Sequence, residues 1–506
     1  MVFYGLFSSV AEEMGVVLQR SAFSPNIKER RDFSCALFDG QGRLLAQAAH
    51  IPVHLGALPD TVAAILEEFD LEPGDVVLTN DPYRGGTHLP DLTLVAPVFL
   101  EGRRAFLLAV RAHHSDVGGK HPGSMGLARH IEEEGVLIPP RKILSQGRFD
   151  QKFWEDFLSR VRGRAEREGD LRAQLASLAR GKTRLEELAS RYGLSVLEAK
   201  AEELQAYSEA YMREVLQEIP RGEYFFEDYL DDDGLSAEPV PIRVRLSVGE
   251  GEVKVDFRGS APELPTGLNA VRSVTRAAVF YVFLSLAGGL VPPNQGAFRP
   301  LKILTEPHTV VDACWPAPVA GGNVETSQRI VDVVLGALAQ ALPEKIPAAS
   351  CGSMNNLAFG GKDFAYYETI GGGMGGRPGA PGLSGVHTHM TNTLNTPVEA
   401  LELAYPVVVE RYGLRAGSGG RGRFRGGEGL VRRFRFLEPV TVSLLTERRR
   451  LSPYGLFGGE PGKRGLNLFW DRQGRKRRLP GKGVFKIQAG EVLEIRTPGG
   501  GGYGKP

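Results

Sequence analysis

Two apolar runs separated by four residues limit the possible folds more than any other feature of this chain. "DLTLVAPVFL" at residues 91–100 is followed by "EGRR" and then by "AFLLAVRAHH" at residues 105–114. Apolar runs flanking a glycine turn read as a β-hairpin, here centred near Gly102. In an antiparallel pair, opposed residues share a constant sum of residue numbers. A centre at 102 therefore sets Asp91 opposite His113. Directly opposed Cβ atoms lie about 4.5–5.5 Å apart, close enough for two side chains to grip one ion.

The segment entering the hairpin sharpens this. In "NDPYRGGTHLPD", residues 80–91, Asn80-Asp81-Pro82 and Gly85-Gly86 are turn chemistry that swings the chain over a strand end. His88 comes three residues before Asp91, with Pro90 stiffening the approach. His88, Asp91 and His113 can thus converge at the open end of one hairpin. A His/Asp/His set with vacant positions suits a catalytic divalent metal such as Mn²⁺, Fe²⁺ or Zn²⁺. Such an ion could polarise a carbonyl or activate water. A register slip of one residue would exchange His113 for His114 or Ala112. The competing reading is a polar hairpin end whose groups bond one another and the backbone.

Of ten histidines, all but His308, His387 and His389 lie between His50 and His130. In "HHSDVGGKHPGSM", His114 and Asp116 are candidates for moving a proton, and Asp116 reads equally as a turn cap. His50 and His54 flank Pro52 and share a face of an extended segment. His54, with Asn80 and Asp81, is the expected substrate-contacting set.

A chain of 506 residues exceeds one small core. Its patterning predicts a mixed α+β, multi-lobed fold. Residues 1–150 alternate strands and helices, with "FSCALFDGQGRLLAQA" as two strands around Asp39-Gly40 and "LPDTVAAILEEF" as a helix capped by Asp60. Residues 151–220 read as a helical hairpin: Leu171, Leu175, Leu178, Leu185 and Leu188 have helical spacing, Gly193 is the stop, and Ser195 caps the next helix. Residues 221–506 are mixed, β-rich and dense in glycine. "PIRVRLSV" and "EVKVDFRG" form a strand pair there, and "AAVFYVFLSLAGGLV" forms a buried helix, shorter than the roughly 20 residues a membrane span needs.

Several function classes drop out. A formal net charge of +1 argues for neither a nucleic-acid nor a membrane partner. Arg448-Arg449-Arg450 and Arg475-Lys476-Arg477-Arg478 read as short solvated clusters. Cys35, Cys314 and Cys351 are far apart and make neither a disulfide framework nor a CxxC site, which fits a reducing cytosol. The start of the chain reads as an amphipathic helix rather than a signal peptide, because Glu12 and Glu13 interrupt its apolar run and no basic region precedes it. Gly181-Lys182-Thr183 matches the end of a phosphate-binding loop, but Ala176 stands where that loop needs glycine. The two GxGxxG matches, Gly371–Gly376 and Gly417–Gly422, do not lie between a strand and a helix.

These segments together resemble the hydantoinase B/oxoprolinase family. The blocks are "SPNIKERRDFSCALFDGQGRLLAQAAHIPVHLG", "GDVVLTNDPYRGGTHLPDLTLVAPVF", "AHHSDVGGKHPGSM", "EEEGVLIPP", "GDLRAQLASL", "GGNVETSQRIVD", "SGVHTHMTNTLNTPVEALE", "GRGRFRGGEGL" and the terminal "TPGGGGYG". They cover almost the whole chain in order. The resemblance implies a subunit, or C-terminal half, of an ATP-dependent enzyme such as N-methylhydantoinase, 5-oxoprolinase, or acetone or acetophenone carboxylase. It implies a hydantoinase A-type partner with an actin-like ATPase fold, which binds ATP and phosphorylates the carbonyl of a cyclic amide or ketone. In the acetone carboxylase branch it implies a metal at a His-x-x-Asp plus a downstream His, matched here by His88, Asp91 and His113. The leading expectation is a cyclic amide hydrolase, cytoplasmic and hetero-oligomeric. The alternatives are a ketone carboxylase subunit and a non-catalytic scaffold for the A-type partner.

Overall fold

Strands β1 (Phe33–Asp39), β2 (Leu44–Ala48), β3 (Val76–Thr79), β4 (Asp91–Leu100), β5 (Arg103–His113), β6 (Arg141–Ser145) and β7 (Arg148–Phe149) build one sheet in the order β2-β1-β5-β4-β3-β6-β7. Every pairing in it is antiparallel. The computed structural model describes residues 2–48 and 51–506; His50 lies outside the described residues. The β4–β5 hairpin is central, and its register pairs Asp91 with His113 as expected, beyond a bulge at Val98/Phe99 that shifts the pairing by one residue from Leu100 with Arg103 at the turn.

Every residue of β1 is buried, as are seven of the ten in β4 and nine of the eleven in β5. Both faces of the sheet are covered, so the runs are apolar throughout instead of alternating. Helices α1 (Val2–Ser21) and α3 (Arg164–Tyr192) lie on one face. On the other lies α2 (Ala57–Glu68), against which α5 (Arg272–Leu286) packs. A β-carbon at Gly181 would sit 2.5 Å from Met14 Sδ of α1. The Gly-Lys-Thr tripeptide is therefore a helix crossing point.

Gly193, in the left-handed region at φ +83°, separates α3 from α4 (Leu194–Gln217). Ser195 falls inside the first turn of α4 and does not cap it. Asp60 likewise lies inside the first turn of α2, which Gly56 precedes. There it favours the helix dipole and pairs with Arg276 Nη1 at 2.7 Å.

The remaining strands form three sheets. β8 (Gly222–Leu230), β9 (Val240–Val248), β10 (Val253–Asp256) and β11 (Leu301–Leu304) pack against α6 (Ser327–Ala341). β12 (Asn356–Gly360) and β13 (Ala365–Glu368) join β16 (Val440–Leu445) and β19 (Lys482–Ile487). β14 (Val407–Leu414) and β15 (Leu430–Phe436) join β17 (Leu466–Trp470), β18 (Lys476–Leu479) and β20 (Val492–Arg496). Glycine is dense between them because backbone packs on backbone. A β-carbon at Gly500 would lie 2.1 Å from Met374 O, and one at Gly427 1.8 Å from Leu383 O.

Arg448 and Arg449 correct the solvated-cluster expectation, being 1% and 2% exposed. Arg448 Nη2 bonds Asp228 at 2.5 Å and Asp332 at 2.9 Å, and Arg449 Nη1 bonds Asn355 Oδ1 at 2.6 Å. Arg475 to Arg478 are exposed, as expected. No described helix is long and apolar enough to cross a membrane.

Candidate metal centre

Three donor atoms meet at the open end of the β4–β5 hairpin. His88 Nε2 lies 3.0 Å from Asp91 Oδ1 and 3.2 Å from His113 Nδ1, and His113 Nδ1 lies 3.2 Å from Asp91 Oδ1. The cross-strand pair supplies Asp91 and His113. The turn before β4 supplies His88, with the Asp91 N–H donating to His88 O at 3.1 Å. Zinc–ligand bonds of about 2.0–2.1 Å imply donor-to-donor edges of roughly 3.0 Å in an octahedron and 3.4 Å in a tetrahedron. The observed triangle has that size, so the residues fit a divalent ion.

The surroundings hold the donors in place. Burial alone would raise the Asp91 carboxyl, but the imidazoles of His88 and His54, with hydrogen bonds from His113 and His54, outweigh it and hold the group well below the ordinary carboxylate range. Its second oxygen, Oδ2, receives the Thr87 hydroxyl and His54 Nε2, the latter at 3.2 Å. Ser34 Oγ lies 3.0 Å from His54 Nδ1. A hydroxyl proton donated there leaves the imidazole proton on Nε2, aimed at Asp91. The His113 ring stacks on Tyr367 with centroids 4.7 Å apart, and its backbone N–H donates to Asp32 O. Burial pushes the His113 imidazole down, favouring the neutral ligand form.

The other expected residues are placed elsewhere. His54 stands behind Asp91, with both nitrogens engaged. Asn80 donates to Leu89 O and Val136 O and accepts from the Ile138 N–H, pinning the turn. Asp81 accepts from the Tyr83 N–H at 3.0 Å. His114 points to the opposite face of the sheet, 2.9 Å from Gln174 Oε1 on α3, and burial pushes it down to about 4. Asp116 accepts from the Gly118, Gly123 and Arg162 N–H groups and from the Arg162 guanidinium. His114 and Asp116 therefore tie elements together beside the donor triangle and do not face it.

Sequence reasoning missed Asn323, Tyr367, Thr87 and Asp32. Asn323 Nδ2 lies 3.1 Å from His88 Nε2. A void of about 20 Å³ bounded by Asp32, Asp91, His113 and Asn323 adjoins the triangle. Thr391 and Thr393 line both that void and a cavity of about 900 Å³. His387 and His389 face this cavity, and burial pushes each imidazole down to about 4.

The chain is similar to several known proteins. The chain is 42% identical over 532 residues to 5-oxoprolinase 1 of Arabidopsis thaliana, covering 99% of this chain and 41% of that protein. It thus spans about two fifths of the length of that relative. It is 32% identical over 534 residues to a putative B-type D-/L-hydantoinase subunit of Pseudomonas sp. (strain NS671), covering 100% of this chain and 89% of that one. The crystal structure of an ATP-dependent caprolactamase from Pseudomonas jessenii matches with a TM-score of 0.93 at 28% identity, over 100% of this chain and 90% of that chain. The hydantoinase B/oxoprolinase family model spans residues 1–506, and the chain belongs to that family.

Proposed function

We propose that this chain is the metal-binding, ring-opening part of an ATP-dependent cyclic amide hydrolase of the hydantoinase/5-oxoprolinase type. It works with a hydantoinase A-type partner that binds ATP. The observation that carries this reading is the ion-sized triangle of His88, Asp91 and His113 beside a substrate-sized cavity. The relatives' descriptions as 5-oxoprolinase, B-type hydantoinase subunit and ATP-dependent caprolactamase support the amide class.

The A-type partner phosphorylates the carbonyl oxygen of the cyclic amide, and the activated intermediate enters the cavity. A divalent ion bound by the triangle would supply Lewis acidity and lower the pKa of a water. His88 Nε2 and His113 Nδ1 present ring nitrogens, and Asp91 presents a carboxylate oxygen. Thr87 and His54 fix the other carboxylate oxygen and so aim Oδ1 inward. Tyr367 fixes the plane of the His113 ring. Thr391 and Thr393 line both cavity and void, and they position the intermediate for attack by water; the ring C–N bond then breaks with the amine as leaving group, and a second water releases phosphate from the resulting acyl phosphate. His114 and Asp116 keep the hairpin end, α3 and the 118–123 turn in register.

The test is reconstitution with an A-type partner, ATP and either hydantoins or 5-oxoproline, with metal content measured alongside. His88→Ala and Asp91→Ala are expected to lose both metal and turnover while keeping the circular dichroism of the wild type. Full activity of metal-stripped wild type would overturn the proposal. So would bicarbonate-dependent consumption of ketones without amide hydrolysis.

A further inference from the structure

We propose that Glu263, His308 and Cys314 form a second metal site, open to solvent and suited to a thiophilic divalent ion such as Zn²⁺. Their donor atoms, a carboxylate oxygen, a ring nitrogen and a sulfur, all lie within 4.8 Å of one another. His308 Nδ1 is 3.4 Å from both carboxylate oxygens of Glu263. Zinc bonds of about 2.0–2.1 Å to nitrogen and oxygen and about 2.3 Å to sulfur imply tetrahedral edges of roughly 3.4 Å and 3.6 Å. The imidazole–carboxylate edge already has its length, and rotation of the short Cys314 side chain closes the sulfur edges.

The fold brings these donors together from two strand ends. β10 and β11 run parallel, with Asp256 beside Leu304, so the chain leaves both at the same edge. Antiparallel bridges then join Pro262 to Thr309 and Thr309 to Asp312. The Glu263 N–H donates to His308 O at 3.0 Å, and the Val310 N–H donates to Ala261 O at 2.9 Å. The Cys314 N–H donates to Glu263 Oε1 at 2.6 Å, which sets the thiol-bearing residue beside the carboxylate. His308 holds φ +60°, a left-handed backbone that few side chains adopt and that clusters at functional sites.

The donor set selects the ion. A thiolate with an imidazole favours zinc-like ions over Mg²⁺ or Ca²⁺. A carboxylate and a thiolate offset the two positive charges, and the thiol gives up its proton on binding. Cys314 is partly exposed, whereas Cys35 and Cys351 are buried, and burial pushes their thiols up to about 12 and about 11. The His308 side chain is 69% exposed and that of Glu263 25%. An ion therefore enters without any opening of the fold, unlike one bound by His88, Asp91 and His113. Once bound it ties the 261–263 segment to residues 308–314, just before Ala317, Val319 and Ala320, whose backbone Tyr83 and Glu134 hold.

The test is optical titration of the reduced chain with Co²⁺, which substitutes for zinc and gives a thiolate-to-metal charge-transfer band only where sulfur is a ligand. Wild type and Asp91→Ala are expected to show the band, and Zn²⁺ to bleach it. Cys314→Ala loses it. His308→Ala and Glu263→Gln each need at least about tenfold more Co²⁺ to reach half its amplitude. In the Asp91→Ala background saturating Zn²⁺ raises the melting temperature, and adding Cys314→Ala abolishes the rise. A wild type without the band overturns the inference. So does a band that survives Cys314→Ala, or one that neither His308→Ala nor Glu263→Gln weakens, since that is a lone thiol and not a site. Unchanged melting of Asp91→Ala in saturating Zn²⁺ also overturns it, because an ion that binds the folded chain must stabilise it.

Discussion

Thr87→Val isolates how Asp91 is aimed. The hydroxyl becomes a methyl of nearly the same shape, β-branching is kept, and no ligand is touched. Thr87 is 1% exposed, so water cannot replace the lost bond. Asp91 Oδ2 has two partners, Thr87 Oγ1 and His54 Nε2, and the variant leaves only the longer one at 3.2 Å. A hydrogen bond to a charged group contributes about 1.5–3 kcal/mol. At about 1.4 kcal/mol per factor of ten, the carboxylate's hold on an ion should weaken about 10–100-fold. That range agrees with other groups that orient metal ligands. Competition titration with a Zn²⁺ chelator gives the affinity, and turnover at saturating metal gives the second readout. The expected result is a weaker Kd with near-normal turnover once metal is in excess. His54→Phe should act on the same oxygen, so the double variant should lose less than the sum of the two. A Thr87→Val Kd within twofold of wild type would refute the argument that Oδ2 must be held.

Other outcomes concern the frame around the centre. Arg448→Met leaves Asp228 and Asp332 short of a cation and should cost about 3–5 kcal/mol in urea unfolding, whereas Arg475→Ala on the exposed strand end should change it by less than about 0.5 kcal/mol. Gly322→Ala should abolish soluble expression or lower the melting temperature sharply, because its β-carbon has no room beside Asn269 O. Burial pushes the Glu134 carboxyl up to about 8 despite the N–H groups of Ala320 and Val319 that it accepts from. Its folded-state pKa lies above its unfolded value, so its stabilisation is complete below about pH 4.3 and fades as pH rises through about 8. Glu134→Gln removes that slope, and its melting temperature relative to wild type should rise between pH 6 and pH 8 in a fluorimetric scan.

The triangle was readable because its parts are local. A hairpin's register follows from its centre and any bulge; Gly102 supplied a centre that fits the Asp91 end, and the bulge at Val98/Phe99 absorbs the one-residue difference at the turn. The leucine spacing that predicted α3 is local in the same way. Tyr367 and Asn323 were not readable, because they reach the centre from more than 200 positions further along the chain and no periodicity reports such a meeting. Asp32 was nearer to hand: β1 pairs Phe33 with Ala112, so one more step of that register sets Asp32 beside His113. What the sequence withholds is that β1 neighbours β5. The arginine cluster misled for a related reason. Charge runs are usually solvated, and the acids that bury Arg448 and Arg449 come from strand β8, its following turn and helix α6. The offsets of the two cap assignments, two residues at Ser195 and four at Asp60, reflect how little a single polar residue says about a helix boundary.

The centre is sealed, and sealing governs time. His88 is 0% exposed, and Asp91 and His113 are each 2% exposed. The adjoining void of about 20 Å³ admits roughly one water. All three donors lie between residues 88 and 113, while Asn323, Tyr367, Met390, Thr391 and Thr393, which also border the void, come more than 200 residues later in the chain. An ion captured during folding therefore exchanges only as often as these surroundings open, so stripping and titration need long incubation with chelator. Metal occupancy in a purified sample would then record which ions were present while the chain folded, and overnight dialysis would do little to rewrite that record.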